Sequence, residues 1–178
     1  MNHVTLEDAK VETQTTLRAM DLDYLHVRKS SIQGLGLFTS RYIPAHKILF
    51  KIAGRKVYRE YTPAYATENP NWLGTGGNEW LEFEEGDTGI YVNHSCRPNV
   101  IIDEHLQFIS IRPIEEKEEL SMDYSTTEVD PYWSMKCKCG QACCRKTLLS
   151  FQYLPMHLKK SYSRYLSPAI RNTSSLIV

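Results

Sequence analysis

Hydrophobic residues recur at every second position over several short stretches, which is the pattern of half-buried β-strands. Ile48, Phe50 and Ile52 follow this spacing, and residues 80–85 alternate apolar with acidic side chains. The first stretch predicts a strand that ends at Gly54. Further strands are predicted over residues 24–30, 37–43, 100–103 and 106–112, with Glu104 and His105 as the connection between the last two.

Little of the chain has the periodicity of a helix. Thr5 to Asp8 has the polar spacing of a helix N-cap, but the following residues to about Met20 are polar and weakly periodic. Residues 58–80 contain Pro63, Pro70 and several glycines, which favours irregular structure with at most one short helix. Residues 148–165 have spaced apolar positions interrupted by a proline, and this predicts one or two short terminal helices.

Composition adds limits to this mostly β prediction. The 178 residues are enough for one packed core. No run approaches the roughly 20 apolar residues of a membrane span, and the first residues lack the pattern of a signal peptide, so we expect a protein with no membrane contact. The net charge is zero, yet no acidic residue follows Asp130, so the C-terminal end is basic. A nucleic-acid contact is one interpretation of this end; a solvated tail is the preferred one, because no aromatic–basic stacking pattern accompanies it.

Cysteine spacing points to a metal site. The chain has five cysteines, four of them between residues 137 and 144. Such close clustering favours a metal over disulfides and a reducing compartment over a secreted one. Three thiolates, those of Cys137, Cys139 and Cys144, have the spacing of zinc ligands, and a tetrahedral site needs a fourth. Cys143 could replace Cys144 in a tighter loop.

Four short motifs occur in a fixed order. GLGLF occupies residues 34–38, NHSCRPN residues 93–99, ELSMDY residues 119–124 and CKCGQACCR residues 137–145. A GxG element alone is most often only a turn, but the ordered set is specific. It resembles the GxG, NHSCxPN, ELxxDY and post-SET cysteine motifs of the SET-domain protein lysine methyltransferases.

The resemblance implies a fold and a division of the chain. The expected fold is mostly β, with several small sheets, short helices, a zinc-binding post-SET segment and a knot-like threading of the segment that carries Tyr124. The expected parts are an N-terminal arm over 1–21, a SET domain over 22–130, the post-SET segment over 131–150, and a helical, basic C-terminal extension over 151–178.

The resemblance also implies a chemistry. S-adenosylmethionine is the expected cofactor, and a lysine side chain of a protein is the expected methyl acceptor. Tyr124 is the expected catalytic residue, because in the family this hydroxyl helps to align the transfer. For the zinc site, the resemblance adds Cys96 to the three clustered thiolates. The residues expected to bind the cofactor are Gly34, Leu35, Gly36, Asn93, His94 and Tyr124.

Recognition of the substrate is predicted less directly. Tyr91, Tyr132 and Trp133 are candidates for the walls of a lysine channel, since aromatic faces hold cations, although core packing is the competing role for each. Acidic residues over 79–87 fall where the family lines its substrate groove. They would attract a lysine-rich peptide such as a histone tail, or they form a solvated face.

The sequence favours a protein-lysine N-methyltransferase, with a histone as one candidate substrate and a non-histone protein as another. A catalytically inactive, zinc-stapled binding module with the same fold is the alternative. Intact glycines, Asn93, His94 and Tyr124 favour the enzyme. Cytoplasm, nucleus, or delivery of a bacterial product into a host all stay open as locations.

Overall fold

The computed structural model describes residues 22–60, 72–76, 78–84, 86–166 and 170, and the predicted N-terminal arm lies outside them. None of the helices in this part is long and apolar enough to span a membrane. In chain order the strands are β1 (Leu25–Lys29), β2 (Leu35–Thr39), β3 (Ile48–Lys51), β4 (Gly54–Tyr58), β5 (Trp72–Gly76), β6 (Glu79–Phe83), β7 (Asn93–His94), β8 (Val100–Ile102), β9 (Gln107–Ser110), β10 (Glu119–Met122), β11 (Ser134–Lys136) and β12 (Thr147–Leu149), and the helix α1 is Met156–Tyr162.

These strands form four small sheets within the described residues. In the first sheet the order is β1-β2-β10-β7, with β10 antiparallel to β2 and parallel to β7. The GxG element comprises the last residue of the turn before β2 and the first two residues of β2, β7 carries Asn93 and His94, and β10 ends two residues before Tyr124. This order brings three sequence motifs together although they lie far apart along the chain.

Two three-stranded sheets complete the main body, with orders β3-β9-β8 and β4-β6-β5. The predicted strands over 100–103 and 106–112 are confirmed, joined by a turn in which Leu106 has a left-handed φ of 59°. The pair β11-β12 is a separate sheet that frames the cysteine cluster.

Two predictions in this region are wrong. Gly54 does not end a strand: β3 ends at Lys51, and Gly54 begins β4, where a side chain would overlap the backbone of Glu82. Residues 72–76, expected to be irregular, form β5, because they pair with β6. Gly74 lies directly against the Thr127 carbonyl, so this strand is determined by tertiary packing and not by local sequence.

In the described ranges the core consists of three clusters. The main one joins the first three sheets through side chains such as Leu37, Phe108 and Leu120, each with no exposed surface. A second cluster packs the C-terminal segment, including Phe151 and Tyr162, on the strand residue Ile101. The third contains cysteines and Leu148. The predicted terminal helices are confirmed as α1, preceded by a 3₁₀ turn over Phe151–Tyr153.

Candidate active site and metal centre

The side-chain amide of Asn93 links the first three motifs. Its Nδ2 donates to the carbonyl of Gln33 at 3.1 Å and to that of Leu35 at 2.9 Å. The same nitrogen is 2.8 Å from Oε1 of Glu119, the first residue of ELSMDY. The position of the GxG turn relative to β7 and β10 is therefore fixed by hydrogen bonds as well as by strand pairing.

The GxG turn has an open surface. Gly34 has a left-handed φ of 53°, which glycine adopts at little cost, and no atom of the described residues lies within 4 Å of the position of a Cβ. At Gly36 a Cβ would overlap the Glu119 carboxylate, which Ser30 Oγ also contacts at 2.8 and 2.9 Å. Leu35 is 52% exposed. An open turn beside backbone carbonyls fits the expected placement of a cofactor.

Tyr124 sits at the start of a 3₁₀ turn, Tyr124–Thr126, which the Asp123 carboxylate caps by accepting the Ser125 N–H at 3.1 Å. The Tyr124 hydroxyl donates to the Val92 carbonyl at 3.0 Å. Burial, with a smaller contribution from the charge of Glu119, raises the pKa of Tyr124 to about 12. The phenol therefore stays protonated at neutral pH and acts as a hydrogen-bond donor.

His94 is buried and joins Tyr124 to the cysteine cluster. Its Nδ1 accepts the Tyr124 N–H at 3.2 Å, and its Nε2 lies 3.4 Å from Cys96 Sγ. A neutral ring that accepts at Nδ1 carries its proton on Nε2, so it donates to the sulfur. Burial lowers the pKa of His94 to about 4 against the opposing effect of Asp123. The side chain faces inward, toward these partners.

A cavity of about 410 Å³ opens beside Tyr124. Its walls include the aromatic residues Trp72, Trp80 and Phe83 from the β5-β6 pair. Trp133, which precedes β11, lies on the wall formed by the C-terminal segment. A cavity of this size with aromatic walls suits an alkyl chain that ends in a cation.

The three predicted channel residues have different environments. Trp133 lines the cavity. Tyr91 packs against the main core, and Tyr132 is 53% exposed at the adjacent turn. The sequence analysis did not single out Trp72, Trp80 or Glu128 as wall residues. For Glu128 the only available signal was its position four residues after Tyr124.

The predicted acidic groove is largely paired within the chain. Glu82 binds Arg55 and accepts from Trp72 Nε1 at 3.3 Å, and these hydrogen bonds lower the pKa of Glu82. Glu79 pairs with Lys56 on the same neighbouring strand at 3.2 Å. Attraction of a basic peptide by these carboxylates stays a prediction. Their negative charge is partly offset by Arg55 and Lys56 on the neighbouring strand β4.

Four side chains converge in a candidate metal centre. The ligand atoms of His94, Cys96, Cys137 and Cys139 lie within 4.8 Å of one another. Sγ of Cys96 and Sγ of Cys137 are 3.8 Å apart. Two sulfurs bound to a tetrahedral zinc at about 2.3 Å are separated by about 3.8 Å, so this pair already has the geometry of a zinc site. Burial raises the pKa of both thiols, and a bound cation would favour their ionised forms.

Cys144 adjoins this group and packs with Cys137 and Cys139. In the tautomer that accepts the Tyr124 N–H, His94 Nε2 is placed to donate to Cys96, and Cys144 stays the expected fourth ligand. Backbone N–H groups also point at the sulfurs: Arg145 N lies 3.4 Å from Cys96 Sγ. Cys143 is exposed, and its thiol is 3.6 Å from the Cys96 carbonyl.

A buried ion pair joins the cysteine segment, residues 137–145, to the turn that carries Tyr124. Arg145 Nη2 lies 2.5 Å from Asp123 Oδ1, with side chains only 16% and 1% exposed. Tyr162 of α1 lies 3.5 Å from the other carboxylate oxygen. One carboxylate thus holds the turn of Tyr124, the cysteine segment and the C-terminal helix, and the sequence analysis did not single out this connection.

Comparison with known proteins agrees with this arrangement. Residues 34–125, just over half of the chain, match the family profile of the SET domain. The chain is 29% identical over 142 residues to histone-lysine N-methyltransferase trr of Drosophila melanogaster, which covers 68% of this chain and 6% of that protein. It is 38% identical over 82 residues to Su(var)3-9 of Drosophila pseudoobscura pseudoobscura, covering 35% of this chain and 13% of that protein. The chain thus spans a small part of the length of these relatives.

The fold has a solved counterpart. The crystal structure of KRYPTONITE in complex with mCHH DNA, H3(1-15) peptide and SAH superposes with a TM-score of 0.54 at 22% identity, over 70% of this chain and 29% of that one. A second KRYPTONITE complex gives a TM-score of 0.53. Motif order, sheet arrangement and profile match agree, and the chain belongs to the SET-domain family.

Proposed function

We propose that the protein is an S-adenosylmethionine-dependent protein-lysine N-methyltransferase, with a histone as one candidate substrate. The observation that carries this proposal is that Asn93 binds the GxG element and pairs with the strand leading to Tyr124, which itself lines a cavity with aromatic residues on its walls. Relatives named as histone-lysine N-methyltransferases support it. KRYPTONITE, whose structure contains SAH and an H3 peptide, supports the choice of cofactor and substrate.

Positioning is the main task of this chain's residues. The cofactor would supply an activated methyl group, and Gly34, Leu35, Gly36 and Asn93 would hold it at the open turn. The Tyr124 hydroxyl, which donates its proton to the Val92 carbonyl, would orient the reacting centre through the acceptor lone pairs of its oxygen. An in-line displacement depends on such alignment, which can supply about 7–11 kcal/mol of the barrier.

The substrate amine must be neutral to react. A free lysine has a pKa of about 10.4, and burial among aromatic side chains lowers it. The cavity beside Tyr124 provides such surroundings, with Trp72, Trp80 and Trp133 on its walls. Tyr91 and Tyr132 stay candidates for contacts at its margin.

Zinc would have a structural role here. We assign its ligands to Cys96, Cys137, Cys139 and Cys144, with His94 donating to Cys96. Because Cys96 follows β7 and the other three belong to residues 131–150, the ion would fasten this segment beside the cavity. The proposed parts are then a SET domain over 22–130, a post-SET segment over 131–150 and an extension over 151–178, whose described residues pack on Ile101 and Val129.

A histone substrate would place the protein at chromatin, in its own nucleus or, for a bacterial product, in a host nucleus. The basic end after Asp130 would then lie near nucleic acid. A non-histone substrate fits the same cavity, because the cavity recognises a side chain and not a sequence.

The test is transfer of labelled methyl from S-adenosylmethionine to core histones and to a cell lysate, with Tyr124→Phe as the control. We expect label with the wild type and at least about a hundredfold less with the variant, since the hydroxyl acts by positioning. Label on lysate proteins but not on histones would redirect the substrate. Cofactor binding without any transfer would favour the inactive binding module.

A further inference from the structure

We propose that Glu128 determines the specificity of the cavity for a cationic side chain, by binding the ammonium of the incoming lysine. This inference rests on the proposed function, since it concerns how the same site selects its substrate. It assigns a role to a residue outside the four sequence motifs.

Glu128 lies in the same wall as Tyr124. The 3₁₀ turn Tyr124–Thr126 ends shortly before it, and Tyr124, Thr127, Glu128 and Asp130 all line the cavity. The backbone holds the carboxylate in place, because its Oε1 accepts the Asp130 N–H at 2.8 Å. Its main-chain carbonyl accepts from Phe151 N at 2.7 Å, so the residue is anchored on both sides.

Within the part of the chain that the structure describes, the Glu128 carboxylate has no cationic partner. Among the ion pairs of the described residues, none involves Glu128, whereas Asp123, Glu79 and Glu82 each pair with an arginine or lysine. A partly buried carboxylate with no cation beside it is unfavourable unless a cation arrives from outside. The cavity provides the route by which one can arrive.

The other charged groups of the cavity wall have different environments. The Asp130 carboxylate accepts the Tyr132 N–H at 2.8 Å and so stabilises the next turn. The Arg59 guanidinium stacks 4.9 Å from the ring centre of Trp72. Glu60 and Lys136 are exposed. Glu128 is therefore a half-buried carboxylate of this wall that accepts a backbone N–H but has no cation among the ion pairs of the described residues.

The aromatic walls of the cavity also favour a cationic side chain over a neutral one. Tryptophan faces attract a cation within about 6 Å, and a carboxylate opposite them adds a directional ion pair. Burial raises the pKa of Glu128 to about 7, so the side chain is only partly ionised near neutral pH, and a cation bound beside it would favour the ionised form. A neutral alkyl chain of the same length would gain the apolar contacts but neither electrostatic contribution.

Tryptophan fluorescence measures this selectivity without any turnover. The chain has three tryptophans, Trp72, Trp80 and Trp133, and all three line the cavity. We would titrate a short blocked peptide with one lysine, and its counterpart with norleucine in place of lysine. The proteins are the wild type, Glu128→Gln and, as a matched control, Glu116→Gln, which makes the same charge change at an exposed turn.

The wild type should bind the lysine peptide roughly tenfold more tightly than the norleucine peptide, because one charge-assisted contact has about this effect. Glu128→Gln should lose most of this preference with little change for norleucine, and Glu116→Gln should keep it. Glu128→Asp should retain part of it, which excludes a simple folding defect. An unchanged preference in Glu128→Gln, or no preference in the wild type, would overturn the inference.

Kinetics separate this inference from the proposed function. If the enzyme methylates lysine, Glu128→Gln should raise KM about tenfold and leave kcat nearly unchanged. Methyl transfer with an unchanged KM in Glu128→Gln would refute the role of Glu128 and would leave the proposed methyltransferase activity supported. Preference for lysine without any transfer would support Glu128 and refute the methyltransferase.

Discussion

Two ionisable side chains of the cavity, Tyr124 and Glu128, are both held toward their protonated forms by burial. The consequences differ because the ordinary pKa values differ. Tyr124 is a permanent donor at physiological pH, whereas Glu128 changes its charge close to neutrality. One wall of the cavity therefore combines a fixed hydrogen-bond donor with an adjustable charge.

Glu128 should make the stability of the protein depend on pH. Its pKa is about 7 in the folded protein and about 4.5 when unfolded. The stabilising contribution of the protonated form is complete below about pH 4.5 and is lost as pH rises through 7. Glu128→Gln should therefore gain stability relative to the wild type across this range, by up to about 3 kcal/mol. Urea unfolding of both proteins at pH 5 and pH 8 measures this, and a difference that does not change with pH would contradict it.

At the scale of single residues, the motif residues could be predicted from sequence because their spacing is specific. The sequence did not predict the pairing of Glu82 with Arg55, since the two residues meet only through the register of β4 and β6. Nor did it predict the exposure of Glu128 to a cavity formed by distant segments. Both depend on tertiary contacts that local pattern does not contain.

The ion pair of Asp123 and Arg145 determines how the elements around Tyr124 fit together. The pair joins the end of β10 to the residues before β12, and Tyr162 of α1 adjoins it. Its partners come from three segments, so a change here should affect the whole arrangement.

The strands β8 and β9 were predictable because they pair across a short turn, while β5 depends on β6 and on Gly74 packing against Thr127.

Arg145→Ala should be strongly destabilising, because it leaves the Asp123 carboxylate buried without its cation. The expected loss in the free energy of unfolding is about 3–5 kcal/mol. Arg55→Ala removes an arginine from an exposed pair, with side chains 75% and 36% exposed, and should change stability little. Chemical unfolding of the two variants compares them directly. Equal losses would show that the Asp123 pair has no special role.

At the scale of the whole molecule, the three hydrophobic clusters differ in the side chains that stabilise them. The main core and the C-terminal cluster contain large aliphatic and aromatic side chains, whereas the third consists mostly of cysteines around Leu148. The proposed zinc would therefore matter most for the third cluster. The mostly β fold was predictable from short alternating segments, and the knot-like threading stays a prediction.

Removal of zinc by a chelator should release residues 131–150 and leave the main core folded. We expect about one zinc per chain, a change in Trp133 fluorescence on chelation, and loss of methyl transfer. Cys139→Ser should reproduce these effects because it removes a ligand, whereas the exposed Cys143→Ser should retain zinc and activity. Full activity in a protein free of zinc would refute the structural role of the metal.

The most direct test of the methyltransferase assignment is the position of the transferred methyl group. The amino-terminal peptide of histone H3 would be incubated with the protein and S-adenosylmethionine, and the product sequenced by mass spectrometry. The account predicts methyl groups on lysine side-chain nitrogens, absent with Tyr124→Phe and with peptides that carry norleucine for lysine. Methyl groups on other residues, or equal methylation by Tyr124→Phe, would contradict it.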